Sequence, residues 1–364
     1  FNRSAGDQPA AAVGLYGIAS VDFSGNDVIN GRVGVQISGA EGAGTITIQN
    51  NTVTTPDAFS SFFFIGGVPG SGATAPLAEG RLNDVTFTGN TTEDGVELFL
   101  GGGNDANPFA TDGGDLISGA AGNDTLDGGL GDDSLDGGLG TDVAVVADGG
   151  GAAVDPADYA LSGATVTGGV LSGTLAGPDG TKTLTDVEVI QVANTGASSS
   201  TFLVYGGMSI QAAIDEAADG DTIQIAAATY AEALSVDKAL TFVGAGGGTT
   251  VIDASGGGNA VTLAAGVDGD VSFDGIDLEG PGSGTSDTDG LRVQTGANIG
   301  ALTFENGEIR GFGGRGLFSS DGGDPVGQPT LGALTLLNVD FANNGFGGSN
   351  GAGHVKLFGF GGDA

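Results

Sequence analysis

The sequence predicts an all-β protein built from short strands and many tight turns. Of its 364 residues, 39% are hydrophobic, many of them in short alternating runs, and 75 are glycine. Alternation of apolar and polar residues is typical of half-buried strands, and glycine permits the turns between them. A nine-residue repeat of glycine and aspartate lies in the middle of the chain. The chain is long enough for two or three domains.

Composition narrows the partners that the protein can have. The formal net charge is −36, with 45 acidic residues against 9 lysines and arginines. Such a surface repels nucleic acid and anionic membranes and attracts cations. Cysteine is absent, which excludes disulfides and thiolate-bound metals. No apolar run approaches membrane-spanning length, so we expect no membrane insertion. The start without methionine and the end inside a repeating pattern predict a segment of a longer chain.

Residues 1–109 contain strand-like pieces that recur with one pattern. In VDFSGN, ITIQNN and VTFTGN, apolar residues stand two apart and an asparagine follows three positions after the last of them. Asparagine suits such a turn because it tolerates a left-handed backbone and can hydrogen-bond its own neighbours. One strand per coil, repeated about every 25 residues or more, predicts a solenoid. The apolar residues and their asparagines are Phe23 and Asn26, Ile48 and Asn51, and Phe87 and Asn90.

The same pattern returns after residue 250. VSFDGIDL starts at Val271, and the near copies GALTFENGEI and GALTLLNVDF start 32 residues apart at Gly300 and Gly332. Stacked coils explain such copies, because each coil buries its apolar face only against its neighbours.

One short helix is predicted near residues 209–218, in the stretch SIQAAIDEAADGD. Ser209 is a suitable N-cap and Gly220 ends the run. A helix here would cover the open end of the first coil of a solenoid. The apolar face of the helix consists of Ile210, Ala213, Ile214 and Ala217.

The segment from Ser209 to Gly244, SIQAAIDEAADGDTIQIAAATYAEALSVDKALTFVG, resembles the start of a pectin-lyase-like right-handed parallel β-helix. The resemblance implies that residues 206–364 form the N-terminal cap and opening coils of one β-helix. Residues 1–109, which resemble the family more loosely, would be the closing coils of another. It implies no particular activity, because this fold carries lyases, hydrolases, epimerases, tailspikes and non-enzymatic surface proteins.

Residues 110–145 form four nine-residue repeats in phase: ATDGGDLIS, GAAGNDTLD, GGLGDDSLD and GGLGTDVAV. The pattern GGxGxDxUx resembles the RTX family of calcium-binding β-rolls. Position four is always glycine, at Gly113, Gly122, Gly131 and Gly140. Position six is always aspartate, at Asp115, Asp124, Asp133 and Asp142. Position eight is apolar, at Ile117, Leu126, Leu135 and Ala144.

Calcium chemistry explains this spacing. Ca²⁺ takes about six to eight oxygens from carboxylates and backbone carbonyls, and glycine lets a six-residue turn direct its carbonyls inward. The family resemblance implies that each ion lies between turns two repeats apart. It therefore implies one site from the turns of Asp115 and Asp133, and another from those of Asp124 and Asp142. Further weak ligand candidates are Asn123 and Asp132 at position five, and Gly101–Asp105 is a possible degenerate extra turn.

Residues 110–145 carry eight aspartates and no cation. Without metal these charges repel each other and the small apolar positions cannot offset the chain entropy, so we expect folding to depend on calcium. The alternative, a flexible linker rich in glycine and aspartate, does not explain the strict register. Residues 146–205 resemble the β segment that follows such repeats and would cap the roll. For 142–194 we expect short antiparallel strands with no chemistry of their own.

Candidates for catalysis are weak, and no catalytic residue is predicted. Acids in loops rich in glycine and serine are more simply solvated turn residues. His354 has no acidic neighbour in the sequence, the lysines Lys182, Lys238 and Lys356 are scattered, and Tyr205 and Tyr230 suit a core or a cap. Two clusters of the type that acts on acidic polysaccharides are Asp287, Asp289 and Arg292, and Arg315, Asp321 and Asp324.

The first functional hypothesis is a non-enzymatic, calcium-stabilised extracellular module of a bacterial surface layer, adhesin or matrix filament. Its partners would be Ca²⁺, copies of itself or head-to-tail neighbours, and cell-surface polysaccharide. The alternative is a secreted calcium-dependent polysaccharide lyase or epimerase. A third possibility, an ice- or carbohydrate-binding solenoid, needs a regular threonine or aromatic ladder, of which only fragments are present. The RTX resemblance further implies type I export and folding outside the cell.

Overall fold

The protein is described by a computed structural model. The described residues are 11–16, 21–29, 33–38, 46–49, 52–54, 63–65, 85–88, 96–99, 114–119, 122–147, 159–193, 199–282, 288–319, 328–345 and 355–357. They belong to two compact units, Phe1–Thr195 and Gly196–Ala364. The predicted division at residues 109, 145 and 205 is finer than this and stays a prediction. No helix in the described ranges is long and apolar enough to cross a membrane.

The first part of unit 1 consists of short parallel strands. They stack in three ladders, β1-β4-β7-β9, β2-β5-β8 and β3-β6, so that successive passages of the chain contribute one strand to each face. This arrangement is the predicted parallel β-helix. The strands are β1 (Ala11–Tyr16), β2 (Val21–Ser24), β3 (Asp27–Ile29), β4 (Val33–Ser38), β5 (Ile46–Gln49), β6 (Thr52–Thr54), β7 (Phe63–Ile65), β8 (Val85–Thr88) and β9 (Val96–Phe99).

The pattern of apolar residues is confirmed in one ladder, because Phe23 pairs with Ile48 and Ile48 pairs with Phe87. At the first of these turns the predicted hydrogen bond of asparagine to a neighbour is confirmed, and its predicted left-handed backbone is wrong. Gly25 has the left-handed backbone there, with φ +66°, while the Asn26 amide donates a hydrogen bond to the Ser24 carbonyl at 3.1 Å. Asn51 and Asn90 lie outside the described residues.

The four nonapeptides supply the strands of the roll. β10 pairs with β12 and β11 pairs with β13, both in parallel, and the paired residues are 18 apart. β10 also pairs with β9, so one sheet continues from the coils into the roll. The apolar residues at position eight, from Ile117 to Ala144, are all buried. The four strands are β10 (Leu116–Ser118), β11 (Thr125–Asp127), β12 (Asp133–Asp136) and β13 (Val143–Ala147).

The segment after the repeats is only partly antiparallel. β14, β15 and β16 form the predicted antiparallel hairpins, but β16 also pairs in parallel with β12, and β17 pairs in parallel with β13. The prediction of antiparallel strands throughout 142–194 is therefore wrong. Leu184 and Ile190 are buried beside their partners Leu135 and Ala144, which adds one more coil to the roll. These strands are β14 (Ala160–Thr167), β15 (Val170–Gly177), β16 (Gly180–Val187) and β17 (Val189–Ala193).

Unit 2 begins with the predicted helix, α1 (Ile210–Glu216). The Ser209 hydroxyl accepts a hydrogen bond from the Ala212 N–H at 3.2 Å, which confirms the N-cap. The Glu232 carboxylate accepts the N–H groups of Ile210 and Gln211, at 2.8 Å and 3.2 Å. These bonds satisfy donors that the first turn of a helix leaves without partners.

The strands of unit 2 form a second parallel β-helix. One face consists of β18-β19-β22-β25-β28-β30, a second of β20-β23-β26 with β28, and a third of β21-β24-β27-β29-β31. α1 contacts β18, β19 and β21. The strands are β18 (Thr201–Val204), β19 (Thr222–Ile225), β20 (Ala228–Tyr230), β21 (Leu234–Val236), β22 (Thr241–Gly244), β23 (Thr250–Asp253), β24 (Val261–Leu263), β25 (Asp268–Asp274), β26 (Asp277–Glu279), β27 (Leu291–Val293), β28 (Asn298–Arg310), β29 (Leu317–Ser319), β30 (Thr330–Ala342) and β31 (Val355–Lys356).

A ladder of phenylalanines forms the centre of unit 2. Phe242, Phe273 and Phe304 lie in register on adjacent strands and are fully buried. Their rings stack with centroids 4.7 Å and 5.7 Å apart. The near copies that start at Gly300 and Gly332 lie on adjacent coils, as predicted, since Ala301 pairs with Ala333.

We predict that Phe273→Ala lowers the free energy of unfolding of unit 2 by about 3–5 kcal/mol, because it opens a cavity between two stacked rings. Leu337→Ala is the matched control, since that side chain is 49% exposed, and it should change stability by less than about 0.5 kcal/mol. Urea unfolding followed by circular dichroism measures both. Equal losses in the two variants would contradict the ladder as the main core.

Candidate calcium-binding turns of the roll

The turns of the roll bring together the aspartates that the sequence pairs. The Asp115 N–H donates to Asp133 Oδ1 at 2.8 Å, and the Asp124 N–H donates to Asp142 Oδ1 at the same distance. Turns that precede β10 and β12 share one edge, and turns that precede β11 and β13 share the other, because alternate strands pair. Gly113 and Gly101–Asp105 lie outside the described residues.

The four position-six aspartates are buried, with no more than 3% of each residue exposed. Burial raises the pKa of Asp133 to about 6, although the Asp115 N–H and Lys182 counteract it. Burial also raises the pKa of Asp142, and the charges of Asp136 and Asp186 add to that effect. Oδ2 of Asp142 is buried and accepts no hydrogen bond. A buried carboxylate in this state is costly unless a cation accompanies it.

Glycine is required where the turns approach each other. Gly140 has φ +151°, and a Cβ on it would lie 1.7 Å from the Gly122 carbonyl oxygen. A Cβ on Gly137 would lie 2.2 Å from the Asp186 carbonyl oxygen and 2.7 Å from Asp142 Oδ2. The turns thus place carbonyl and carboxylate oxygens side by side, with no nitrogen or sulfur ligand among the position-four and position-six residues. This set suits a hard cation such as Ca²⁺.

Side chains at position five connect turns on the same edge. Asn123 Oδ1 accepts the Thr141 N–H at 3.0 Å, and Asp132 Oδ1 accepts the Thr181 N–H at 2.9 Å. Their predicted role as calcium ligands stays a prediction. In the described part of the chain, no three carboxylate or histidine side chains converge to hold a metal ion. Backbone carbonyl or water oxygens would therefore complete a calcium site at these turns.

The sequence analysis missed two residues of these edges. Lys182 is fully buried, and its ammonium group lies 3.0 Å from Asp133 Oδ2 and 3.2 Å from Asp179 Oδ2. Glu188 Oε2 accepts the Asp142 N–H at 2.7 Å, which continues the pairing of Asp124 with Asp142. Residues 142–194 thus supply two side chains to the edges of the roll that the sequence does not predict, while the expectation that they have no chemistry of their own stays a prediction. The missed signal is GPDGTKTLT, which keeps glycine at positions one and four and leucine at position eight.

The weak catalytic candidates form an ion-pair cluster in unit 2. Asp289 is 1% exposed, so the interpretation as a solvated turn residue is wrong for it. Its Oδ2 lies 3.3 Å from Arg292, and its Oδ1 accepts the Arg315 N–H at 2.8 Å. Both guanidinium groups lie over the Phe318 ring, at 5.1 Å and 4.3 Å from its centroid. Asp287, Asp321, Asp324 and His354 lie outside the described residues.

Comparison with known families agrees with the geometry of the turns. Residues 109–144 match the family model of the RTX calcium-binding nonapeptide repeat, in four copies. Calcium is the cofactor of these repeats. The predicted cofactor is thus confirmed, and the individual ligands stay predictions.

Two further comparisons concern the whole chain. The fold is similar to a solved structure of an arginine-to-alanine mutant of the PL6 family alginate lyase AlyGC, with 14% sequence identity and a TM-score of 0.32. The similarity covers 92% of this chain and 51% of that one, so the chain spans about half the length of the lyase. No curated protein sequence matches the chain.

We predict that Asp142→Asn weakens calcium binding by the roll at least tenfold, about 1.4 kcal/mol, because it removes a buried anionic oxygen. In chelator the same change should stabilise the roll, because no carboxyl group at this position then has to lose its proton and its hydration on folding. Calcium titration calorimetry and thermal unfolding in chelator measure the two effects.

The control for this prediction is Asp237→Asn, which removes an exposed carboxylate from unit 2. It should leave both measurements unchanged. If Asp142→Asn behaved like the control, Asp142 would not be a calcium ligand.

Proposed function

We propose that this chain is a non-enzymatic, calcium-stabilised structural module of an extracellular bacterial protein, of the surface-layer, adhesin or matrix-filament type. Export by a type I system and folding outside the cell, as calcium concentration rises, fit the RTX resemblance. The chain would be one part of a longer tandem array.

The observation that carries this proposal is that the turns of the roll bury more carboxylate groups than cationic side chains. Asp115, Asp124, Asp133 and Asp142 are at most 3% exposed, and among the described residues Lys182 is the one buried cation at these turns. The remaining negative charge has to be neutralised by ions from the solvent. Extracellular calcium modules bind with dissociation constants of about 0.1–1 mM, which matches the calcium outside cells rather than inside them.

The strand pairing supports a mechanical role. β9 pairs with β10, and β12 pairs with β16, so one sheet runs from the coils through the roll into the hairpins. Calcium would then convert a soft acidic segment into a rigid continuation of this sheet. A module whose stiffness depends on external calcium is well suited to a surface layer or a filament.

A second copy of this chain is the partner that we favour. β30 pairs with β28 on one side, and no strand in the described ranges pairs with its other side. Leu336 and Leu337 on this strand are 37% and 49% exposed. A parallel coil added at this edge would cover them, as stacked coils do elsewhere in the unit. Cell-surface polysaccharide remains a second proposed partner.

Calcium titration of the full chain tests this proposal. Hydrogen exchange of residues 137–147 should be fast in chelator and slow in millimolar calcium, with a midpoint of about 0.1–1 mM. Magnesium at the same concentration is the control, since its demand for octahedral geometry makes it a poor substitute. A midpoint below about 1 µM, or full protection in chelator, would contradict a module that folds only outside the cell.

The enzymatic alternative is supported by the convergence of Asp289, Arg292 and Arg315, which came from two separate predicted clusters. Its weakness is that the Asp289 carboxylate is buried and already neutralised by the two arginines.

An assay on alginate and pectate separates the two candidates. We predict no cleavage or epimerisation by the full chain in calcium, with Arg292→Ala as the comparison variant. Activity that is present in the wild type and lost in Arg292→Ala, with the circular dichroism spectrum unchanged, would favour the enzyme.

A further inference from the structure

Residues 177–185 have the geometry of a fifth nonapeptide, although residues 146–176 separate them from the fourth. The Gly122 N–H donates to the Leu139 carbonyl at 2.8 Å, and the Gly131 N–H donates to the Asp179 carbonyl at the same distance. Asp179 therefore corresponds to Leu139, the third position of its repeat.

The next positions correspond as well. The Thr181 N–H binds the Asp132 side chain as the Thr141 N–H binds that of Asn123. Gly180 has φ +111°, and a Cβ on it would lie 2.1 Å from the Gly131 carbonyl oxygen. This is the same close approach as that of Gly140 to Gly122. In the strands that follow, Leu184 pairs with Leu135 as one position-eight residue with another.

Lys182 then occupies position six, where the other four repeats have aspartate. Its ammonium group contacts four oxygens: Asp133 Oδ2 at 3.0 Å, Asp179 Oδ2 at 3.2 Å, and the carbonyls of Gly131 and Asp179, both at 3.0 Å. Two carboxylates and two carbonyls around one buried positive charge form a cation site made by two turns on the same edge.

Lysine at position six leaves the same net charge between these two turns as an aspartate with a bound calcium ion would. An aspartate with a bound Ca²⁺ contributes +1, from −1 and +2, and the lysine ammonium contributes +1 without any ion. The turn can therefore close on Asp133 while the neighbouring carbonyls still face a positive charge. A lysine also reaches the oxygens from its own strand, so no ion has to be recruited.

We propose that Lys182 replaces a calcium ion between the third turn of the roll and this fifth turn, so that the last coil of the roll docks without metal. Residues 177–193 then form a preformed end against which the calcium-dependent turns assemble. The calcium requirement of the roll is confined to the turns before it.

Lys182→Asp restores the aspartate of the repeat and tests the proposal directly. The full-length variant should bind one more calcium ion per chain than the wild type, as measured by titration calorimetry and native mass spectrometry. In chelator, hydrogen exchange of residues 177–187 should become at least tenfold faster than in the wild type, and calcium should reverse the change. An unchanged calcium count would overturn the proposal.

Lys238→Asp is the matched control. Lys238 also donates to two backbone carbonyls, those of Ile214 and Asp215, but it belongs to unit 2. This variant should bind as many calcium ions as the wild type. A gain of one ion in both variants would mean that added negative charge alone binds calcium, which would overturn the assignment.

A second variant needs no calcium and covers the case in which Lys182→Asp does not fold. Lys182→Gln keeps the length of the side chain and removes the charge. In chelator it should expose residues 177–187 to exchange, whereas the wild type keeps them protected while residues 137–147 exchange. Unprotected 177–187 in the wild type would refute metal-free docking, even if the roll itself binds calcium as proposed.

Discussion

Neutralisation of buried carboxylates along the two edges of the roll is the constraint on which unit 1 depends. Each nonapeptide places one aspartate at the start of a strand, and in the third and fourth repeats its carboxylate accepts the N–H of the aspartate two repeats earlier. That bond orders the stack and also withdraws the charge from water. The strand that follows is only three to five residues long, so its apolar residue cannot outweigh an unneutralised carboxylate. Positive charge at the edges therefore decides whether the stack forms.

The two units meet the same need for stability in different ways. Unit 2 buries phenylalanines that stack from coil to coil, and its helix covers the first coils with a well-capped N-terminus. Among the acids that the described part of unit 2 buries, Asp277 and Asp289 are neutralised by arginines of the chain, and Asp221 accepts backbone N–H groups. Among the described residues, unit 1 has five buried aspartates at its turns, the four at position six and Asp179, and one buried lysine. Calcium sensitivity is thus expected of unit 1 rather than of unit 2.

The sequence predicts what is local and periodic. The pairing of Asp115 with Asp133 follows from a strict nine-residue spacing, and α1 follows from Ser209 and a helical apolar period. The nonapeptide pattern does not identify the fifth turn in the sequence, for two reasons. Hairpin strands β14 and β15 separate it from the fourth repeat, and its lysine removes the aspartate by which the repeat is recognised.

The sequence predicts the charge partners of buried acids less well than it predicts strands and turns. The sequence favours a solvated turn residue at Asp289, because nothing near it in the sequence except Arg292 suggests a partner. Coil stacking brings Arg315 to Asp289 from the next turn, and this arginine offsets the cost of burying the carboxylate. The polarity of a loop says little about burial when the next coil supplies the counter-charge.

Anomalous diffraction from crystals of the full chain grown in calcium tests the central claim most directly. The account predicts one calcium peak between the turns of Asp115 and Asp133, one between those of Asp124 and Asp142, and none where the Lys182 ammonium lies between Asp133 and Asp179. Well-ordered turns without calcium peaks would contradict it.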